Sequence, residues 1–224
     1  MIIDEKKEKT IRELLIEKDE VSLVESDGKF IGPNDKYEAH KYPTKLHLAI
    51  SVWLFNSKGE VLIQKRSKKK IVGGDWWANS ACGNVWPTET FFDCANRRLE
   101  KELGIKGVLI KPIYKFTYKA YGNQTYGEHE IDQVYIGLFN NQISPNPDEV
   151  SEIKWISFKE LYNAFSGFDY IHPDQTLLLT EDELKQKTAP VKIKLKGNEY
   201  LLAPWTVLML KNSQLYDAFK KLFE

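Results

Sequence analysis

Two histidines and two glutamates have side chains that can bind a divalent cation. His40 and His47 flank the start of the first apolar run, and Glu128 and Glu130 lie two residues apart in GEHEID. On a strand, the two glutamates would point to the same side, because alternate residues share a face. The histidines are separated by Pro43 and should not be neighbours on one continuous helix or strand, but they can converge through a loop. Together the four residues would offer a cation two imidazoles and two carboxylates.

A second pattern lies in GNVWPTETFFDCANRRLEKELGI. It fits the skeleton G-x5-E-x7-R-E-U-x-E-E-x-G-U, with U a bulky aliphatic residue, at Gly83, Glu89, Arg97, Leu99, Glu102, Gly104 and Ile105. This skeleton resembles the Nudix box, in which closely spaced carboxylates chelate Mg²⁺ and activate water. Two of those carboxylate positions hold Arg98 and Lys101 here, which suits phosphate binding better than metal-dependent hydrolysis. The alternative is an ordinary solvated helix with ion pairs, namely Asp93/Arg97 and Arg98/Glu102.

The composition narrows the expected partners. The chain has 224 residues and a formal net charge of zero. No single-sign field attracts nucleic acid or an anionic membrane, so neither is expected, and locally placed cations must hold any anionic substrate. Two cysteines, Cys82 and Cys94, are too few for a disulfide framework and fit a reducing compartment. The charged first 20 residues lack the apolar core of a signal peptide, so we predict a cytoplasmic protein. The oligomeric state stays open.

Apolar periodicity and turn residues predict the order of the elements. Strands are expected from residue 21, at 46–55, in VLIQKR, at 108–118, at 131–139 and in EIKWISF; helices are expected at 10–18, 88–104, in SFKELYNAF and at 203–224. The turn NSKG should join the strands at 46–55 and VLIQKR into a hairpin. Residues 166–197 are weakly patterned. These elements must bring the cation-binding and phosphate-binding side chains together.

Further matches lie in a fixed order along the chain. The entry segment contains K-x3-H-x6-H-L-A at Lys36, His40 and His47, and it is followed by NSACGN, KELG, GEHEID and APW. This order resembles the type I isopentenyl diphosphate isomerases. The matches span roughly residues 36 to 205, which is far more specific than any single motif. One position departs from the family, since its metal-binding histidine after C-G is Asn84 here.

The resemblance implies a fold and a domain plan. We expect an α/β protein with a Nudix-type α/β/α sandwich around a mixed sheet, with N- and C-terminal elaborations. Residues 1–30 would be an N-terminal appendage, and residues 31–224 the catalytic domain.

The same resemblance implies that the enzyme interconverts isopentenyl and dimethylallyl diphosphate. Cys82 and Glu130 would lie on opposite faces of the substrate, one donating a proton and the other accepting one, with Tyr118 helping to relay it. The two roles exchange with reaction direction. Trp205 would place its ring against the cationic carbon, a contact worth about 2 kcal/mol or more when desolvated.

Diphosphate and metal ligands follow by resemblance as well. Lys36, Arg66, Lys70 and Arg98 would bind the diphosphate, and Glu102 would hold a Mg²⁺ ion that touches its oxygens. The other metal site would consist of His40, His47, Asn84, Glu128 and Glu130. Because an amide oxygen suits hard cations, Asn84 should favour Mg²⁺ or Mn²⁺ over Zn²⁺.

Two alternatives stay open. The chain could be a Nudix diphosphohydrolase acting on a nucleotide or a small phosphorylated metabolite, although Arg98 and Lys101 argue against it. It could also be a binding module without catalysis. A binder has no need for a proton donor opposite a proton acceptor, which argues against the module.

Overall fold

The computed structural model describes residues 20–165 and 167–224. The strands in these residues are β1 (Glu20–Val24), β2 (Phe30–Asp35), β3 (His47–Phe55), β4 (Glu60–Arg66), β5 (Trp77–Ala78), β6 (Ala81–Asn84), β7 (Ile110–Tyr121), β8 (Gly127–Leu138), β9 (Val150–Ser157), β10 (Val191–Leu195) and β11 (Asn198–Leu202). The helices are α1 (Lys36–His40), α2 (Phe91–Leu103), α3 (Phe158–Phe165), α4 (Pro173–Thr176), α5 (Glu181–Lys187), α6 (Pro204–Leu210) and α7 (Ser213–Lys221). The helix predicted at 10–18 lies outside the described residues.

Strand β3 sets the register of the sheet around the predicted site. It pairs in parallel with β8, where His47 is opposite Glu130. It pairs antiparallel with β6, where Ala49 is opposite Asn84 and Ser51 is opposite Cys82. Residues far apart in the sequence therefore meet at one end of a mixed sheet.

The turn predicted between β3 and β4 is confirmed, but the extended pairing of the two strands is not. The two strands pair only at Phe55 and Val61. Strand β4 runs antiparallel to β9 instead, from Glu60 opposite Ser157 onward. The apolar residues of β3 and β4 are buried on both faces, so both strands take central positions with other partners rather than forming an isolated ribbon.

Side chains alternate along β3 between two hydrophobic cores. Ile50 and Val52 pack in one core with Leu99 and other residues of α2. Trp53 and Phe55 pack in the opposite core, to which α3, α6 and α7 contribute. Helices thus cover both faces of the sheet, and the predicted α/β/α sandwich is confirmed.

Helix α2 has the ends that its sequence predicts. The Thr90 side chain caps the helix and forms a reciprocal capping box with Asp93. Gly104 ends the helix with a φ of 67°, which a residue without a Cβ adopts easily. Asp93 serves as a cap and Arg97 binds Glu89, so the Asp93/Arg97 pair of the alternative, an ordinary solvated helix, does not form.

Three further predictions need correction. The strand predicted at 131–139 begins at Gly127, because the polar residues before 131 continue the pairing with β7. The predicted C-terminal helix is two helices, since the Asn212 side chain accepts a hydrogen bond from the backbone of Gln214 and starts α7. The weakly patterned region ends in β10 and a turn that places Lys196 and Gly197 at φ of 47° and 82°, and β11 follows to complete a hairpin.

The N-terminal division stays a prediction. Strand β1 lies within residues 1–30, and it pairs with both β2 and β3 of the main sheet. None of the described helices is long and apolar enough to span a membrane.

Candidate active site

The two histidines and two glutamates converge as the sequence predicts. His40 ends α1, His47 begins β3, and Glu128 and Glu130 lie on β8 with side chains on one side. One ligand atom from each of the four residues lies within 4.8 Å of the others, and all four side chains are buried. Asn84 reaches the same cluster from β6, 3.1 Å from Nε2 of His47.

Backbone carbonyls orient both histidine rings. Nδ1 of His40 lies 2.7 Å from the carbonyl oxygen of Lys36, and Nδ1 of His47 lies 2.8 Å from that of Lys45. Each Nδ1–H can donate to its carbonyl, which leaves the lone pair of Nε2 facing the cluster. This is the arrangement that fixes the tautomer of a metal-binding histidine.

The cluster fits a divalent cation. Oε2 of Glu128 is buried and accepts no hydrogen bond from the described part of the chain, although Nε2 of His40 lies 3.1 Å away. The amide nitrogen of Asn84 contacts both Nε2 of His47 and Oε1 of Glu130, at 3.1 and 3.0 Å. Rotation of that amide would present its oxygen instead, so the set offers two nitrogen and at least three oxygen donors.

The charges in the cluster support one another. Burial alone would lower the pKa of His40, but the adjacent Glu128 carboxylate outweighs burial and raises that pKa. Burial alone would raise the pKa of Glu130, yet the hydrogen bond and charge of His47 and the Tyr118 hydroxyl together lower it. Glu130 is therefore held as a carboxylate.

Tyr118 and Cys82 lie beside this cluster. The Tyr118 hydroxyl donates a hydrogen bond of 2.6 Å to Oε2 of Glu130, and burial raises its pKa well above the usual value. The Cys82 thiol accepts a contact of 3.1 Å from the Arg66 guanidinium. Burial raises the pKa of Cys82 to about 12, although Arg66 opposes the shift, so the thiol keeps its proton at neutral pH.

One cavity of about 280 Å³ joins most of the predicted site residues. Its lining includes Cys82, Glu130, Tyr118, Trp205, Lys36, Arg66, Lys70, Arg98, His40, Asn84 and Glu128. Trp205 is buried at the start of α6, with the Arg66 guanidinium 5.0 Å from its ring centre. In this state Arg66 thus covers the ring to which a carbocation contact was assigned.

The second half of the cavity is lined by cations. In the loop 68–70 the side chains of Lys68 and Lys69 are 82% and 71% exposed, whereas that of Lys70 is 15% exposed, so Lys70 is the lysine that turns inward. Burial, together with the nearby Arg98 and against the attraction of Glu102 and Glu149, lowers the pKa of Lys70 to about 8. A cation that titrates near neutral pH lies within the cavity.

Arg98 crosses directly over Gly83. Its Nε donates to the carbonyl oxygen of Cys82 at 3.2 Å, and a Cβ on Gly83 would lie 2.7 Å from Arg98 side-chain atoms. A residue without a side chain is therefore required there. This packing explains why the first position of the skeleton, residue 83, is a glycine.

Two predicted ligands do not line the cavity. His47 is fully buried behind it but belongs to the cation cluster. Glu102 is 1% exposed, and its carboxylate accepts hydrogen bonds from Arg98 at 2.8 and 2.5 Å and from Gln64 at 2.5 Å. Arg98 covers the carboxylate to which a Mg²⁺ ion was assigned.

Sequence reasoning missed two acidic residues at the site. Glu149 contacts Lys70 and Arg98. Asp132 accepts a hydrogen bond of 2.7 Å from Ser51, and burial raises its pKa well above the usual value. The alternation of β8 could have shown that Asp132 shares a face with Glu130, whereas nothing local marks Glu149.

The side chain of His129 lies on the opposite side of β8 from Glu128 and Glu130. Its Nδ1 lies 3.4 Å from the carbonyl oxygen of Thr44, as expected for a side chain on the other side of β8. Burial lowers its pKa to about 4.

Comparison with known proteins first defines the class. The NUDIX domain family matches residues 45–176, more than half of the chain, and this segment contains the helix with the modified carboxylate pattern. A solved structure from Deinococcus radiodurans superposes with a TM-score of 0.54 at 17% identity, over 75% of this chain and 98% of that one. The fold is therefore that of a Nudix domain.

Curated relatives narrow the class. The isopentenyl-diphosphate Delta-isomerase of Klebsiella pneumoniae (strain 342) is 34% identical over 164 residues, which are 73% of this chain and 89% of the relative. The chloroplastic isopentenyl-diphosphate Delta-isomerase I of Arabidopsis thaliana is 36% identical over 67% of this chain and 58% of its own length. The chain belongs to the isopentenyl-diphosphate Delta-isomerase family.

Proposed function

We propose that this protein interconverts isopentenyl diphosphate and dimethylallyl diphosphate. The observation that carries the proposal is the position of a protonated thiol, Cys82, and an ionised carboxylate, Glu130, on one small cavity. The names of the relatives agree with this chemistry. The cations at the other end of the cavity supply a place for a diphosphate.

The reaction needs one proton added and one removed. Protonation of the terminal methylene carbon gives a tertiary carbocation, and loss of a proton from the chain carbon on the other side of the cationic centre gives the new double bond. Cys82 keeps its proton at neutral pH and is suited to donate it, whereas Glu130 is suited to accept one. The Tyr118 hydroxyl, hydrogen-bonded to Glu130, can pass that proton onward. In the reverse direction the roles exchange.

The remaining residues bind the substrate and shield the cation. Lys36, Arg66, Lys70 and Arg98 are proposed to hold the diphosphate. Trp205 would cover the carbocation once the diphosphate draws Arg66 from its ring, and its buried face would exclude water. This displacement of Arg66 is a condition of the proposal.

A divalent cation belongs to the proposal. His40, His47, Asn84, Glu128 and Glu130 would hold it, and it would supply positive charge that keeps Glu130 ionised. We propose Mg²⁺ or Mn²⁺ rather than Zn²⁺, because Asn84 offers an amide oxygen. A second Mg²⁺, accompanying the diphosphate near Glu102, requires that Arg98 move. We also propose that the protein is cytoplasmic, because its two cysteines are too few for a disulfide framework and fit a reducing compartment.

Product analysis tests the function directly. The purified protein is incubated with isopentenyl diphosphate and Mg²⁺, with or without Mn²⁺ or Zn²⁺, and the products are separated. We expect the dimethylallyl isomer. Release of phosphate without isomer would overturn the proposal and favour a Nudix diphosphohydrolase, and no turnover with any metal would favour a binding module.

A further inference from the structure

Glu149 is fixed between the two elements that carry the phosphate-binding cations. It lies immediately before β9, and its backbone N–H donates to the carbonyl oxygen of Asn146 at 3.0 Å. Its own carbonyl accepts a hydrogen bond of 3.0 Å from the N–H of Ser67, next to the lysine loop. The N–H of Asn146 donates to the carbonyl of Glu102 on α2 at 2.9 Å. The carboxylate is thus held in place by backbone contacts on both sides.

The Glu149 carboxylate binds the cations themselves. Oε2 contacts Lys70 and lies 3.0 Å from the Arg98 guanidinium, and Oε1 lies 3.5 Å from Nζ of Lys101. Its side chain is only 13% exposed. Burial alone would raise the pKa of Glu149, but Arg98 and Lys70 outweigh it and hold the pKa far below its usual value. The carboxylate is therefore ionised and bound at neutral pH.

A bare anion and a metal-bound anion meet this carboxylate differently. An anion that binds Lys70 and Arg98 competes with Glu149 for these cations, and it would leave the nearly buried Glu149 charge beside its own negative charge. A diphosphate that carries a divalent cation brings a positive charge, which Glu149 can contact after its release. The Glu149 carboxylate therefore disfavours the bare anion and tolerates the metal-bound diphosphate.

We propose that Glu149 is a specificity-determining residue that makes the cavity select metal-complexed diphosphate over free anions. The inference rests on the proposed function, since it takes a diphosphate as the ligand of Lys70 and Arg98. Glu149 belongs neither to the Nudix-box pattern on α2 nor to the cluster of His40, His47, Glu128 and Glu130. Removal of the Glu149 charge should relax the selection rather than weaken binding.

Calorimetric titration with inorganic pyrophosphate tests this selection, in chelator and in Mg²⁺. We expect the wild type to bind pyrophosphate about tenfold or more tightly with Mg²⁺ than in chelator. Glu149→Gln keeps the shape and removes the charge, and it should bind pyrophosphate in chelator about tenfold more tightly than the wild type does. Asp148→Asn is the matched control, because it removes the same charge one residue away, where the side chain is 69% exposed and pairs with Lys69. It should leave the wild-type selection unchanged.

Unchanged or weaker metal-free binding by both Glu149→Gln and Glu149→Ala would overturn the inference, as would equal effects of Glu149→Gln and Asp148→Asn. Glu149→Ala provides a second test if the glutamine keeps the hydrogen bonds of the carboxylate, and circular dichroism checks that each variant is folded. Pyrophosphate has no alkene, so its binding does not depend on isomerisation. If Glu149→Gln loses the preference for metal-complexed pyrophosphate but the wild type shows no isomerase activity, only the proposed function is rejected. If the wild type is an isomerase but Glu149→Gln keeps that preference, only the role of Glu149 is rejected.

Discussion

The two ends of the cavity hold their polar side chains by different means. At the His/Glu end, the outer nitrogens of His40 and His47 bind backbone carbonyls at 2.7 and 2.8 Å. At the other end, Arg98 and Lys70 bind the carboxylates of Glu102 and Glu149. Backbone anchors leave the inner donor atoms facing a common centre, whereas carboxylate partners already satisfy the cations.

The His/Glu end is therefore preformed for a cation, whereas the other end must exchange carboxylate partners before it can bind an anion. Donor atoms fixed by backbone contacts need little rearrangement to receive a cation. Cations paired with carboxylates can bind an anion only by exchanging partners, so the outcome depends on which ligand compensates the released carboxylate. Variants at each end should therefore change different observables.

The largest effect is expected between the two ends, at the proton-transfer pair. Cys82→Ala and Glu130→Gln each remove one end of the proton path and should lower kcat by about 10²- to 10⁴-fold. Pyrophosphate binding at the cation end should persist in Cys82→Ala. The measurements are kcat by product analysis and binding by calorimetry.

Cys94→Ala is the control for the thiol. Cys94 is buried in the core on α2 and does not line the cavity, although its Sγ lies 3.2 Å from the backbone carbonyl oxygen of Asn84. Its removal should reduce stability but keep kcat within a few-fold of the wild type, as expected for a core substitution. Near-normal kcat in Cys82→Ala or Glu130→Gln would show that the proton-transfer pair is assigned wrongly.

Asn84→His should sharpen the comparison at the His/Glu end. It adds an imidazole beside His47 and should tighten Zn²⁺ binding by roughly 10- to 100-fold, the range by which supporting groups change metal affinity. Isomerase activity should be kept or raised. Pyrophosphate affinity in chelator should not change, because the lysine and arginine contacts are untouched. Metal titration after chelator treatment measures the effect, and equal Zn²⁺ affinities would mean that residue 84 does not bind the metal.

Lys70→Arg should change the pH dependence of activity, which reports on the cation end of the cavity. Because burial and Arg98 lower the pKa of Lys70 to about 8, the wild type should lose its charge as pH rises through 8, and kcat/KM should fall about tenfold by pH 9. An arginine stays charged there, so the variant should keep its kcat/KM to higher pH. Superimposable pH profiles would exclude Lys70 as the group that titrates.

The sequence predicted the layers of the fold better than its strand partners. Capping residues and apolar periodicity fixed α2 within three residues at its start, since these signals are local. The partner of β4 is β9, about ninety residues away, and no local pattern specifies that pairing. The break at Asn212 was missed because apolar spacing continues across it.

The same distinction holds for the site. His40, His47, Glu128 and Glu130 could be predicted because ordered motifs marked them, and the structure brings them together. Glu149 could not, because its role depends on a loop that meets both Ser67 and the end of α2. Residues that act by compensating other charges carry no motif of their own.

The smallest effect should appear in the stability of the cation end. The folded-state pKa of Glu149 lies below the ordinary glutamate value of 4.5, so its charge contributes stability above pH 4.5, and this contribution is lost as pH falls toward the folded-state pKa. Glu149→Gln should therefore lower the free energy of unfolding by about 1 kcal/mol at pH 7, and by less at pH 3.5. Asp148→Asn removes an exposed pair and should change the free energy by less at both pH values. Urea unfolding at the two pH values gives these differences. A deficit in Glu149→Gln that is the same at pH 7 and pH 3.5 would show that the carboxylate is not paired in solution, and the contrast between the two ends would then be lost.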